Sequence, residues 1–126
     1  MKTVSNIDEC VKLAMEIPGA LGVALVDFES GMMLGSSGGS DALDLEVAAA
    51  GNTTVVRAKA QTMAQLRLDD EIEDILITLG KQYHLIRLVT GEKGRGLFFY
   101  LALNRSLANL ALARRQLLDI EKRLEL

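Results

Sequence analysis

Few residues in this 126-residue chain are of types that could carry out chemistry. There is one cysteine, Cys10, and one histidine, His84. Cys10 lies close to a helical apolar stripe of Val4, Ile7, Val11, Ala14 and Met15, so it reads as a buried small hydrophobe rather than a reactive thiol. His84 stands beside Leu85 and Ile86, and no Ser or Cys is positioned to use it as a base, so a structural role outweighs catalysis. Gly35 to Ser40 (Gly-Ser-Ser-Gly-Gly-Ser) sits between an apolar run and a helix, the context in which Gly-rich loops cradle phosphates. It lacks the Lys-Ser or Lys-Thr pair of a P-loop and the Gly-x-Gly-x-x-Gly spacing, which favours a flexible connection capped by Ser40 or Asp41. The acidic run Asp69-Asp70-Glu71-Ile72-Glu73-Asp74 offers oxygen ligands, but metal binding needs others converging from elsewhere, and a solvated charge run is the commoner case. The sequence therefore assigns no catalytic, cofactor or metal residues, and a non-enzymatic protein is expected.

Composition narrows the class. Apolar residues make up 49% and charged residues 25%, with a single proline, which is globular composition. The length suits one domain spanning 1–126. A net charge of −3 and a pI near 5.1 provide no overall attraction to nucleic acid or anionic lipid. A lone cysteine forms no internal disulfide, and no basic-then-apolar leader opens the chain, so a cytoplasmic protein is expected. In that compartment the sequon Asn52-Thr53-Thr54 is a chance match.

The elements that must position any site follow from periodicity. Leu97 to Leu103 is uncharged and apolar at odd and even positions alike, which requires a strand covered on both faces and makes it the central one. Ala20 to Phe28 has the same character. It turns through Glu29-Ser30-Gly31 into Met32, Met33 and Leu34, a hairpin. Ile75 to Leu79 reads as a strand near an edge, and Tyr83 to Val89 links it to the central strand. One helix, opened by Ser5 and Asp8 as a capping-box-like pair, precedes Pro18-Gly19. Another runs from about Leu107 to Leu124 with Leu110, Ala113, Leu117, Ile120 and Leu124 as its core stripe. Its Arg114, Arg115, Lys122 and Arg123, interleaved with Asp119, Glu121 and Glu125, read as a solvated face.

The helix from about Ala42 to Leu66 is different. Two apolar lines, Val47-Gly51-Val55-Ala58 and Leu45-Ala49-Val56-Ala60-Met63, lie on different faces, more than one sheet can cover. It reads either as a tightly packed internal helix or as one that touches its own sheet on one side and a second subunit on the other.

The resulting order is helix, strand, strand, helix, strand, strand, strand, helix. It predicts an α/β (α+β) domain of three layers, α/β/α, around a five-stranded antiparallel sheet. Gly22-Val23-Ala24-Leu25-Val26-Asp27 with Ser30-Gly31, Asp74-Ile75-Leu76-Ile77, and Phe99 to Arg115 with Asn104-Arg105, Asn109-Leu110 and Arg114-Arg115 resemble the first hairpin, third strand and final strand and helix of the roadblock/dynein light chain family, a profilin-like fold. The resemblance implies a homodimer or heterodimer, with third strands paired edge to edge and second helices side by side. It implies a platform for small Ras-like GTPases or for motor and signalling complexes, and similar bacterial gliding-motility regulators accelerate GTP hydrolysis without donating a catalytic arginine. On that basis Val47, Gly51, Val55, Ala58, Leu76 and Thr78 are expected at the dimer interface. Glu46, Asn52, Arg57 and Lys59, the more polar residues of the same helix, are expected to face the GTPase. The alternative is a small-molecule or anion-sensing domain with a pocket between helix and sheet.

Overall fold

Every backbone N–H and C=O of an uncharged, doubly apolar strand must pair within a sheet, and Leu97–Asn104 does so on both edges. The computed structural model describes residues 5–91 and 94–126. Its elements are α1 (Ile7–Met15), β1 (Ala20–Asp27), β2 (Met33–Gly38), α2 (Leu45–Gln65), β3 (Asp74–Thr78), β4 (Gln82–Leu88), β5 (Leu97–Asn104) and α3 (Leu110–Arg123). They form one five-stranded antiparallel sheet in the order β2-β1-β5-β4-β3, with β5 in the middle as its apolar pattern requires. The α/β/α class, the element order and the central strand agree with the sequence reading.

The alternation of β5 divides the core in two. Leu97, Phe99, Leu101 and Leu103 join Val23, Leu25 and Leu85 beneath α1 and α3, whose Val11, Ala14, Ala113 and Leu117 complete that layer. Phe98, Tyr100 and Ala102 join Ala24, Val26 and Ile86 beneath Leu45, Ala49 and Val56 of α2. Each such large side chain removed from water contributes about 1.5–3 kcal/mol, so the two layers together drive the collapse. Cys10 is fully buried in the first layer. Burial pushes its thiol above the usual range, Glu9 adds to the effect and Arg123 opposes it, which makes the group inert.

Several boundaries differ from the sequence reading, each for a packing reason. Gly35 to Ser40 is not a flexible loop, since β2 runs through Gly38 and pairs with β1 at Gly35↔Leu25 and Gly38↔Gly22. The glycines admit α1, because a Cβ on Gly35 would stand 2.5 Å from Cγ2 of Ile7 and one on Gly38 2.5 Å from Cε of Met15. The adjoining helix is capped not by Ser40 or Asp41 but by Asp44, whose Oδ1 accepts the N–H of Glu46 at 3.0 Å and of Val47 at 3.2 Å. In α3, Asn109 caps by accepting the N–H of Leu112 at 3.0 Å, so Leu107 precedes the helix and is exposed. No capping box opens α1. Its N-cap Asn6 instead donates through Nδ2 to the Arg123 carbonyl at 2.6 Å and accepts the Glu125 N–H at 2.7 Å, pinning the start of α1 to the end of α3. Val4 of the expected stripe lies outside the described residues.

Candidate interaction surface

The outward face of α2 carries an apolar row that its own fold leaves bare. Leu45, Ala49, Thr53 and Val56 point to the sheet, and the Thr53 hydroxyl donates to the Ala49 carbonyl at 2.7 Å instead of remaining unpaired. On the opposite side Val47 is 68% and Val55 37% exposed, Ala58 is exposed, and a Cβ on Gly51 would meet nothing within 4 Å. These four residues expected at a dimer interface thus form one outward row.

β3 is an edge strand that pairs, among the described residues, with β4 alone. Its side chains alternate across the sheet. Ile75 and Ile77, half-buried, face the α2 layer, whereas Leu76 packs against the α1/α3 layer. Thr78 falls on the same side as Leu76 by alternation and is exposed. The structure therefore separates the side chains of the expected strand residues, Leu76 and Thr78, from the α2 row, and brings Ile75 and Ile77 to the α2 side of the sheet instead. What β3 shares with both layers is its backbone edge, a template for another strand.

The expected partner-facing residues divide similarly. Glu46 and Lys59 are exposed, and Asn52 is half-buried. Arg57 is engaged internally: Nε donates to the Phe28 carbonyl at 2.9 Å and Nη2 to the Glu29 carbonyl, which ties α2 to the β1–β2 turn.

His84 lies on the α2 side of β4. Its Nε2 meets Oε1 of Gln82 at 2.8 Å and its Nδ1 the Tyr100 hydroxyl at 3.2 Å, with the rings edge to face at 5.4 Å. Burial lowers the His84 pKa and pushes that of Tyr100 up to about 12, so both groups are held neutral near pH 7. A cleft of about 350 Å³ opens between the C-terminal half of α2, the following 66–73 segment and the ends of the sheet, floored by Phe28, Met63, Ile72 and Leu88.

Sequence reasoning missed a charged network under α3. Glu121, assigned there to a solvated face, is buried. Its Oε2 accepts Nη2 of Arg87 at 3.1 Å and its Oε1 the N–H of Thr90 at 3.0 Å. Arg114 forks onto Asp74 at 3.1 and 3.2 Å, joining α3 to β3. The signal was present, since Arg87 occupies an inward position between Leu85 and Val89, where a charge needs a partner. Two further motif residues are engaged within the fold, Asn109 as the α3 cap and Arg105. Arg105 donates to the Leu79 carbonyl at 2.8 Å and lies 5.2 Å over the Tyr83 ring.

No family model and no curated protein sequence matches the chain. Solved structures do. A Roadblock/LC7 domain from Streptomyces avermitilis superposes with a TM-score of 0.79 at 12% identity, covering 94% of both chains. Myxococcus xanthus MglB gives 0.73 at 18% identity, over 92% of this chain and 79% of that one. An MglB structure with a tetrameric arrangement gives 0.76 at 15% identity, over 92% and 82%. At such identities the likeness is one of fold, and this chain has the Roadblock/LC7 fold. Among the described residues no helix is long and apolar enough to cross a membrane, and no group of three or more His, Cys, Asp or Glu is placed to hold a metal ion.

Proposed function

We propose that the chain is a non-enzymatic, dimeric regulatory module that binds a small Ras-like GTPase or serves as a scaffold for it. Two observations carry this reading, in a chain with the Roadblock/LC7 fold: the bare row Val47, Gly51, Val55 and Ala58 on α2, and a β3 edge that pairs, among the described residues, with β4 alone. In the proposed homodimer the α2 rows of two copies pack together and the β3 edges pair, with Leu76 and Thr78 flanking the junction on one side and Ile75 and Ile77 on the other. Glu46, Asn52 and Lys59 border the α2 row and supply a polar rim for the GTPase, while Arg57 holds α2 in place. The fold likeness to MglB, one structure of which is tetrameric, supports an assembling regulator rather than an enzyme. In this reading residues 1–126 act as one domain, in the cytoplasm.

The test is capture of GTPases from native cytosol on immobilised protein, with GDP or a non-hydrolysable GTP analogue present. One GTPase retained in one nucleotide state, and lost on a folded but monomeric Gly51→Leu variant, supports the reading. Equal capture by monomer and dimer in both states rejects it. A tenfold state preference needs only about 1.4 kcal/mol of differential contact.

A second reading, small-molecule sensing, is favoured by the apolar cleft at the end of α2. A ligand held there raises the melting temperature, and Met63→Arg abolishes the rise. An anion seat at the glycines is not part of this reading, because the adjoining depression near Gly38 and Gly39 carries Asp41, Asp44 and Glu46, which repel anions.

A further inference from the structure

The apolar cleft at the end of α2 adjoins a second hollow of opposite character. The two share Asp70, Glu71 and Thr90, and the second, of about 510 Å³, is completed by Asp69 and Glu73. All four carboxylates are exposed, and none has an ion pair among the described residues. Among those residues the one cation lining either hollow is Arg95, on the apolar cleft alone, so the negative charges are in excess by three. The lip between them is fixed by the end of α2. Arg67 takes a left-handed φ of 55° and the Leu68 N–H donates to the Met63 carbonyl at 3.0 Å, which holds Leu68 at the cleft with half of its surface bare. No residue of either hollow belongs to the outward α2 row or to β3, so the proposed dimer contact does not use them.

We infer that the two hollows together form a docking groove for a segment of a partner protein that carries one large apolar side chain followed by two or more Lys or Arg residues. The apolar side chain enters the cleft against Phe28, Met63 and Leu88, and its burial supplies the affinity. The basic side chains follow the 69–73 run, which spans at most about 17 Å and so matches a peptide of about five residues. Its carboxylates select the sign of the partner and speed the encounter, and they repel an acidic segment. An excess of three charges suits a segment with several cations better than a small molecule with one. The inference therefore differs in occupant from the small-molecule reading of the same cleft, and it depends neither on that reading nor on GTPase binding or the dimer.

The experiment follows the methionine methyl signals of the intact protein, labelled with ¹³C at that carbon, at pH 7.5 and constant ionic strength. Met63 reports on the cleft, and Met15 and Met33, which do not line it, serve as controls. The probes are the capped peptides Phe-Lys-Arg-Lys, Phe-Gln-Gln-Gln and Ala-Lys-Arg-Lys. A saturable shift of the Met63 methyl with the first, at a dissociation constant of about 0.3 mM or tighter and with the controls unmoved, supports the groove. The second and third peptides, lacking the charges or the anchor, bind at least roughly tenfold more weakly. Each exposed ion pair contributes a factor of about two to five, so Glu71→Gln combined with Glu73→Gln, both at exposed positions, weakens the first peptide about tenfold. The inference is overturned by shifts that stay linear with every peptide, by Ala-Lys-Arg-Lys binding as tightly as the first, or by a double variant that binds it unchanged. Equal binding of Phe-Gln-Gln-Gln overturns it too, while leaving the small-molecule reading of the cleft standing.

Discussion

Replacing Gly51 by leucine separates the fold of the subunit from its proposed assembly. Within one subunit a Cβ at Gly51 meets nothing within 4 Å, so the leucine side chain enters solvent without a clash. Glycine in a helix interior is about 0.8–1 kcal/mol less favourable than alanine and leucine is close to alanine, so the isolated subunit gains about 0.7 kcal/mol. For a chain of this length that corresponds to a rise in melting temperature of about 3 °C. In a two-fold dimer the same substitution enters the contact from both copies. Overpacking costs about 1–3 kcal/mol at each, hence about 2–6 kcal/mol per dimer, or a dissociation constant at least roughly thirtyfold weaker. Light scattering over a concentration series measures the second effect, and urea denaturation at a concentration where both proteins are monomeric measures the first. The wild type should run at twice the 13.7 kDa chain mass where the variant runs at one. A variant that dimerises as tightly as the wild type places the interface elsewhere, and a destabilised monomeric variant refutes the outward placement of Gly51.

Three further outcomes follow from the packing. Leu117→Ala, at a fully buried position on the sheet-facing side of α3, lowers the free energy of unfolding by about 3 kcal/mol in urea titrations, and a loss under 1 kcal/mol would contradict its place in the core. Arg57→Ala removes the two bonds to the Phe28 and Glu29 carbonyls and costs about 1 kcal/mol, with amide exchange accelerated first in the β1–β2 turn and α2. The His84 pKa is lower in the folded chain than the ordinary 6.5, so the unfolded chain binds the proton more readily; the resulting stability is complete above pH 6.5 and is lost as the pH falls through the folded value. Urea midpoints at pH 7.5 and 5.5 should therefore differ by more in the wild type than in His84→Gln, and equal differences would refute the assignment.

The periodicity of Leu97–Leu103 by itself determined a strand apolar on both faces, and therefore a central strand with helices above and below, because side chains alternate strictly along a strand and each apolar face must be covered. The apolar spacing of the 42–66 helix likewise separated the line Val47, Gly51, Val55 and Ala58 from the line through Leu45, Ala49 and Val56, but which of the two faces the sheet was decided by the packing, which turns the first outward and buries these three residues of the second. What the tertiary structure decided depends on distances between segments remote in sequence. Gly35 and Gly38 looked like a loop because a glycine pattern does not distinguish flexibility from the close approach of another element; only the crossing of α1 over β2 makes them a strand. Leu76 and Thr78 were placed on the right strand, but which side of the sheet each side chain takes was set by the register Leu76↔Leu85 and the helix covering that side. Glu121 and Arg87 are 34 residues apart, and nothing local to either shows that a charge on α3 and a charge on β4 meet under one helix. Pairing of buried charges is a property of the packed layers, where the loss of water makes each partner necessary to the other.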